Sequence, residues 1–304
     1  MPDSAIAVAL SLVAAPLLQG VIKKAKAFAQ GRVGPPITQT YFDLWKLARK
    51  GSVVPESATW LFHASPWVLF GTTIAASALV PTIAIVEWRF GDAILFGGLL
   101  ALGRIALVLA AYDSGSNFAG MGASREIAIG AVVEPALIGA LTAIALGAGT
   151  TSFDGIVAAR EMAGLGAFGP ASLLAFVALL LVAVAETGRV PVDNPDTHLE
   201  LTMAHEGMTL EYSGQALGLI AYAGQIKQLA ILSLVGVLIL PIGMLDSPAV
   251  AFVAWAVRLI ALGLVLAVIE SANAKLRILR VREIMATAVA LGGGAILARV
   301  ALGG

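Results

Sequence analysis

Eight apolar stretches, most of them close to twenty residues long, leave this chain few folds to choose from. They lie at roughly 4–22, 64–86, 93–112, 127–148, 171–187, 229–245, 249–270 and 284–301. A helix rises about 1.5 Å per residue, so some 20 residues cross a hydrocarbon core of about 30 Å. Backbone N–H and C=O groups inside lipid must be bonded within the protein, which only helices and closed barrels achieve. The runs are continuous rather than alternating, so helices are expected and a barrel is not. The expected fold is an all-α polytopic membrane protein of about eight transmembrane helices, forming a single integral membrane domain over residues 1–304. The fifth and sixth runs are short and have room to extend into their flanking loops. Charge content agrees: only 12% of residues are charged, against roughly a quarter in soluble proteins. The first run has Asp3 but no Lys or Arg before it, the wrong polarity for a cleaved signal, and is expected to be a retained span.

Net charge is +0, which removes nucleic acid as an expected partner. There is no cysteine and there are three histidines, so no metal site and no redox cofactor is expected on this chain. Electrons, if any move, are expected to travel on partners. Lys and Arg are unevenly distributed. The first loop holds Lys23, Lys24, Lys26, Arg32, Lys46, Arg49 and Lys50. The third, fifth and seventh loops hold Arg125; Arg189 and Lys227; and Lys275, Arg277, Arg280 and Arg282. The other side has Arg89, Arg160 and Arg299, a ratio of fourteen to three. The odd-numbered loops, including the long loops 1 and 5 (23–63 and 188–228), are therefore expected on the cytoplasmic face of a cell inner membrane, with both termini outside. No internal repeat is evident, which weakens the case for a self-sufficient secondary transporter.

Charges within spans point to chemistry, because an unpaired charge in the bilayer costs several kcal/mol. Arg104 lies midway along the third run, Glu134 about two turns into the fourth, and Arg258 inside the seventh, with Glu186 and Glu270 near span ends. Two readings stand: a lateral ion path, or structural ion pairs such as Arg104 with Glu134. The fifth loop, ETGRVPVDNPDTHLELTMAHEGMTLEYSG, sets Glu186, Asp193, Asp196, Glu200, Glu206 and Glu211 against Arg189 alone. Crowded carboxylates hold protons more tightly, as relays require. Thr197-x-x-Glu200 reads as a capping box opening a helix on which Glu200 and Glu211, nearly three turns apart, share a face. A capping role for Glu200 within a merely solvated acidic face remains the alternative. His205-Glu206 lacks the second His of a zinc-protease motif, since position 209 is Thr. Gly31 and Gly34 lack the spacing of a phosphate loop. After the break at Gly34-Pro35-Pro36, residues 40–50 read as an amphipathic interfacial helix with Tyr41, Leu44, Trp45 and Leu47 on its apolar side. Membrane anchoring and partner docking both fit it.

Several motifs carry a resemblance. Gln30-x-Arg32-x-Gly34-Pro35 with Gln39 and Asp43-x-x-Lys46-Leu47, MGASREIAIGAVVE at 121–134, AETGRVPVDNP at 185–195 and LEYSG at 210–214 resemble the subunit 1 family of respiratory complex I over nearly the whole chain. The stretch between Glu200 and EYSG, three residues longer than in the quinone-reducing form, and AKLRILRVRE are similar to the hydrogenase branch of that family, found in formate hydrogenlyase and other energy-converting nickel–iron hydrogenases. Lys23 stands where complex I usually has an acid before the next lysine, against a quinone-entry role. The resemblance implies a subunit of an oxidoreductase complex that anchors a peripheral redox arm and couples it to proton or sodium movement. Its implied partners are hydrogenase large and small subunits, a ferredoxin-like iron–sulfur subunit and antiporter-like membrane subunits, with clusters and nickel–iron centre on those partners. By the same resemblance Glu134, Glu186, Asp193, Glu200, Glu206 and Glu211 are ion-coupling carboxylates, with Arg104, Arg125 and Arg189 as charged partners. Gln30, Arg32, Gly34, Pro35, Asp43 and Lys46 would form the docking surface. A quinone-binding subunit of a complex I proper is the alternative.

Overall fold

The computed structural model describes residues 2–81, 91–164, 168–193, 203–239, 248–274, 276 and 278–302. In chain order the helices are α1 (Pro2–Ala29), α2 (Gln39–Ala48), α3 (Trp60–Leu79), α4 (Ala93–Asp113), α5 (Asn117–Ala148), α6 (Phe153–Ala163), α7 (Pro170–Glu186), α8 (His205–Thr209), α9 (Gly214–Ile239), α10 (Pro248–Ala272) and α11 (Ile278–Leu302). Among the described residues there is no strand beyond a single bridge between Asp92 and Ser152. The protein is an all-α polytopic membrane protein. Among the described residues six helices (α1, α4, α5, α9, α10 and α11) are long and apolar enough to cross a membrane, and α7 is a shorter apolar helix. The second expected span overlaps α3, whose twenty residues include His63, Ser65, Pro66, Thr72, Thr73 and Ser77 and which is not among those six.

The expected boundaries shift where polar residues sit inside helices. Helix α1 runs to Ala29, so Lys23, Lys24 and Lys26 are helical rather than loop residues. Helix α5 starts ten residues before the expected 127 and takes in Arg125 and Glu126. Helix α9 starts at Gly214, fifteen residues before the expected 229, and absorbs the end of the fifth loop. Helix α6 was not expected. The proposed helix carrying both Glu200 and Glu211 is not formed: Met203 and Ala204 are non-helical, α8 spans only His205–Thr209, and Glu211 lies in a turn. Glu200, with the Thr197 capping box, lies outside the described residues.

Helix α5 forms the spine of one half of the bundle, packed between α4, α7 and α11. In the other half α9 lies among α1, α3, α7 and α10 and is the most enclosed of the spans, with 72% of its apolar stretch buried. Small residues set the α5–α11 distance: a Cβ on Gly292 would lie 3.1 Å from Ala140 N and 3.3 Å from Gly139 C, both backbone atoms that cannot turn away. Such close backbone approach is how helices gain dispersion contacts in lipid, where no hydrophobic force drives them together. Helix ends are tied by side chains. Asp92 caps α4 by accepting from Ile94 N (2.8 Å) and Leu95 N (3.0 Å), and its other oxygen takes the Thr151 hydroxyl (2.6 Å) from the α5–α6 turn. That hydroxyl, with the capped amides, holds the Asp92 carboxyl below the usual carboxylate range.

The two long loops are stitched together. Val53 N donates to Ser213 Oγ (2.7 Å), Ser213 Oγ reaches Val53 O (3.2 Å), and Gln215 Nε2 donates to Ala48 O (3.2 Å). Gly214 has φ +53°, and a Cβ there would collide with Gly51 O at 2.3 Å, so only glycine fits this crossing. Tyr212 stacks on Phe62 with centroids 4.0 Å apart and donates to Phe62 O (2.9 Å); burial pushes its phenol up to about 12. Helix α2 lies on α1 and α9, with Leu47 against Gly218 and the Tyr41 hydroxyl donating to Val13 O. Tyr41 is turned toward α1, while Trp45 stays outside that contact. Trp45 and Phe42 are exposed, one turn apart, and Arg49 sits 4.4 Å over the Trp45 ring.

Gly292→Leu is expected to destabilise the detergent-solubilised chain by about 1–3 kcal/mol through overpacking. Gly293→Leu, which points into open space, should be near neutral in the same thermal unfolding measurement.

Candidate functional site

Helix α5 presents a stripe of Glu126, Gly130 and Glu134, each four residues from the next and therefore on one face. The middle position is empty of side chain, and the Arg104 guanidinium from α4 fills it: a Cβ on Gly130 would lie 2.5 Å from Arg104 Nη1. Arg104 thereby reaches three carboxylates. Its Nη1 meets Glu134 Oε1 at 2.9 Å, its Nε lies 3.5 Å from Glu126 Oε1, and its Nη2 donates to Glu186 Oε1 at the end of α7. The other Glu186 oxygen lies 3.4 Å from Lys227 Nζ on α9. Three acids and two bases (−3 + 2) give this cluster one net negative charge when all are ionised.

A second cluster begins three residues further on, at Arg189. Its Nη1 meets Glu270 Oε1 of α10 at 3.0 Å, and its Nη2 donates to Gln228 Oε1 (2.9 Å) and to Gln19 Oε1 of α1. Lys26 Nζ stands 3.3 Å from the other Glu270 oxygen. Among the described residues in these ion pairs, two bases and one acid (+2 − 1) leave one net positive charge. Lys227 and Gln228 are neighbours on α9, so one helix touches both clusters. Between them opens a cavity of about 360 Å³ whose lining includes Lys23, Lys26, Glu126, Glu186, Arg189 and Glu206. Charged groups stripped of water need partners within hydrogen-bond reach, and this site supplies them from six helices.

Of the expected ion-coupling residues, Glu134, Glu186 and Arg104 meet directly, and Asp193, Glu206 and Arg189 line the cavity. Buried Asp193 accepts from Ala204 N (3.2 Å) and His205 N (3.0 Å), fixing the start of α8. Arg125 donates to Met203 O (3.0 Å) and so positions the same segment from outside the cavity. Glu211 lies in the turn before α9, away from the lining. Arg258 is outside the lining as well, donating to Ala254 O (3.1 Å) and packing beside Gly236. Among the expected docking residues, Arg32 donates to Gln30, Gln39 Nε2 donates to Asp43 Oδ1 (3.0 Å), Gly34 crosses close to Ala27, and Pro35 and Lys46 are exposed. They sit on the loop surface rather than in the cavity.

The expectations missed Glu126, Gln19 and Gln228, and did not pair Lys227 with Glu186 or Lys26 with Glu270. Glu126 had a signal, its four-residue spacing from Gly130 and Glu134, hidden by starting the fourth span at 127. No group of three or more His, Cys, Asp or Glu able to hold a metal ion occurs among the described residues.

Residues 4–298 match a family model described as NADH dehydrogenase. Formate hydrogenlyase subunit 4 of Escherichia coli (strain K12) is 34% identical over 271 residues, 87% of this chain and 87% of that protein. Hydrogenase-4 component C of the same strain is 36% identical over 235 residues, 76% of this chain and 73% of that one. An NADH-quinone oxidoreductase subunit of Koribacter versatilis (strain Ellin345) is 32% identical over 66% of this chain and 51% of its own length. A chain from the solved membrane-bound sulfane sulfur reductase, an archaeal respiratory membrane complex, superposes with a TM-score of 0.84 at 24% identity, covering 96% of this chain and 98% of that one. At that identity the likeness speaks for the fold alone.

Removing the charge of Arg104 leaves buried Glu186 with Lys227 only. Arg104→Met is expected to cost about 3–5 kcal/mol in thermal unfolding. Glu134→Gln, whose side chain is 36% exposed, should cost about 1 kcal/mol or less. Equal losses would show that Arg104 does not organise the cluster.

Proposed function

The chain belongs to the NADH dehydrogenase subunit 1 family, and from that premise we propose that it is the membrane-anchoring, ion-coupling subunit of an energy-converting hydrogenase complex of the formate hydrogenlyase type. Family members are subunits of oxidoreductase complexes. Similarity to formate hydrogenlyase subunit 4 over 87% of both chains supports the hydrogenase branch. In this reading the electrons stay on partner subunits, which carry the iron–sulfur clusters and the nickel–iron centre, and this chain handles ions. The partners are the hydrogenase large and small subunits, a ferredoxin-like iron–sulfur subunit and antiporter-like membrane subunits.

One observation carries the proposal: two oppositely charged clusters flank a cavity and share α9. The Arg104 cluster has one negative charge in excess, so in a low-dielectric bundle it attracts a cation. The Arg189 cluster has one positive charge in excess and repels a proton. A proton or a sodium ion entering the cavity is therefore drawn toward Glu126 and Glu134, with Glu206 on the cavity wall and Lys227 as the counter-charge of Glu186. The stitched surface of the first loop and the 210–215 segment, with Arg32, Asp43 and Lys46, is where the peripheral arm docks. The fourteen-to-three excess of Lys and Arg supports a position for that surface on the cytoplasmic side of the inner membrane.

A quinone-binding subunit of a complex I-type enzyme is the second reading. The cavity lies within the range of small-ligand sites, which supports it. Lys23, Lys26, Glu186, Arg189 and Glu206 on its walls weigh against an apolar quinone tail.

In the assembled complex reconstituted into liposomes, Glu134→Gln is expected to keep hydrogen chemistry with a soluble electron donor while losing the ion gradient. If both survive unchanged, Glu134 is structural and the coupling role fails. Inhibition of the wild-type complex by quinone-site blockers would favour the second reading.

A further inference from the structure

A second charged site lies at the other end of the bundle. Arg160, in the last turn of α6, is 5% exposed, with its guanidinium 4.6 Å from the centre of the Phe176 ring and 5.8 Å from that of Phe168. Its Nε and Nη2 are enclosed without a hydrogen-bond partner. Arg299, in the last turn of α11, donates from Nη2 to Ser172 Oγ (2.9 Å) in the first turn of α7, and its Nε is likewise enclosed and unbonded. Gly147 of α5 leaves the room Arg299 occupies, since a Cβ there would lie 2.6 Å from its Nη2. The two guanidinia feel one another: burial, and then the Arg299 charge, push Arg160 down to about 10, which leaves it charged at neutral pH. No carboxylate pairs with either arginine among the described residues.

Two neighbouring cations with unbonded N–H groups need an anion, because a buried ion lacking a counter-charge costs several kcal/mol. Position in the bilayer narrows its identity. Gly147 is twenty-one residues along α5 from Glu126, about 30 Å, the thickness of the hydrocarbon core. The site is therefore at headgroup depth in the leaflet opposite the cavity. Residues beside it in sequence, Met162, Leu173, Leu297 and Val300, are exposed and apolar, as acyl chains require. Phosphate suits the planar fork of arginine, and the first turn of α7 adds its partial positive charge.

We propose that Arg160 and Arg299, with Ser172 and the start of α7, bind the phosphate of an anionic phospholipid in the leaflet opposite the charged cavity. The site is independent of the coupling reading and leaves the Arg104 cluster untouched.

The complex, washed in mild detergent and examined by native mass spectrometry, should retain an anionic phospholipid on this chain. The doubly substituted Arg160→Gln/Arg299→Gln complex should lose it, and Arg299→Lys, which keeps the charge but not the fork, should weaken retention while remaining folded. In nanodiscs, phosphatidylglycerol should raise the melting temperature of the wild-type complex above that in phosphatidylcholine, with the difference reduced in Arg299→Lys. Inorganic phosphate added to phosphatidylcholine nanodiscs should not reproduce the rise. Equal lipid retention in wild type and variants would overturn the proposal. So would a rise obtained with inorganic phosphate alone, or a map showing a neighbouring subunit's carboxylate between the two arginines.

Discussion

A guanidinium inside a helical bundle has to be met by acids from other helices, and around Arg104 that requirement sets the arrangement of half the molecule. Glu126 and Glu134 come from α5, Glu186 from α7, and Lys227 on α9 pairs with Glu186. Leaving any one of these buried charges alone is more costly than the whole pairing is favourable, so the helices are fixed relative to one another by what each would lose. Gly130 is part of the same solution, because a side chain there would displace the guanidinium from its place between the glutamates. In lipid, where apolar side chains gain nothing by leaving the solvent, such polar contacts and close small-residue packing are the main sources of specificity.

The face bearing the long loops is organised differently, by hydrogen bonds rather than ion pairs. Ser213 holds Val53, Gln215 holds Ala48, and Tyr212 holds Phe62, so segments some 160 residues apart form one surface. Residues 204–206 line the cavity, and the segment is held by Asp193 at Ala204 and His205 and by Arg125 of α5 at Met203. The loop surface and the charged cavity are thus built from separate residues.

Most of the membrane architecture is legible in the sequence because hydropathy is a long-range average that single polar residues barely alter. The same averaging hides the site. Glu126 and Lys227 lie on helices whose polar ends read as loop, and Lys23 to Lys26 are lost to the loop for the same reason. The Arg104–Glu134 contact is legible because each is an isolated charge inside an apolar run. Glutamines 19 and 228 carry no signal, since a neutral amide in a span becomes informative only when its neighbour across the bundle is known. Periodicity marks Trp45 as part of an apolar face of α2, but which of its apolar residues pack on α1 and α9 and which stay exposed is set by tertiary contact.

The adjacency of Lys227 and Gln228 has a mechanical consequence. Consecutive helical residues point about 100° apart and cannot turn independently. A twist of α9 that draws the ammonium away from Glu186 must also swing the amide against Arg189, so the two clusters are ganged like switches on one shaft. The upper end of that shaft is clamped at Gly214, about 20 Å away along the helix axis, where the backbone of Gly51 leaves no slack. The loop surface and both charge pairs are thus joined through a single helix.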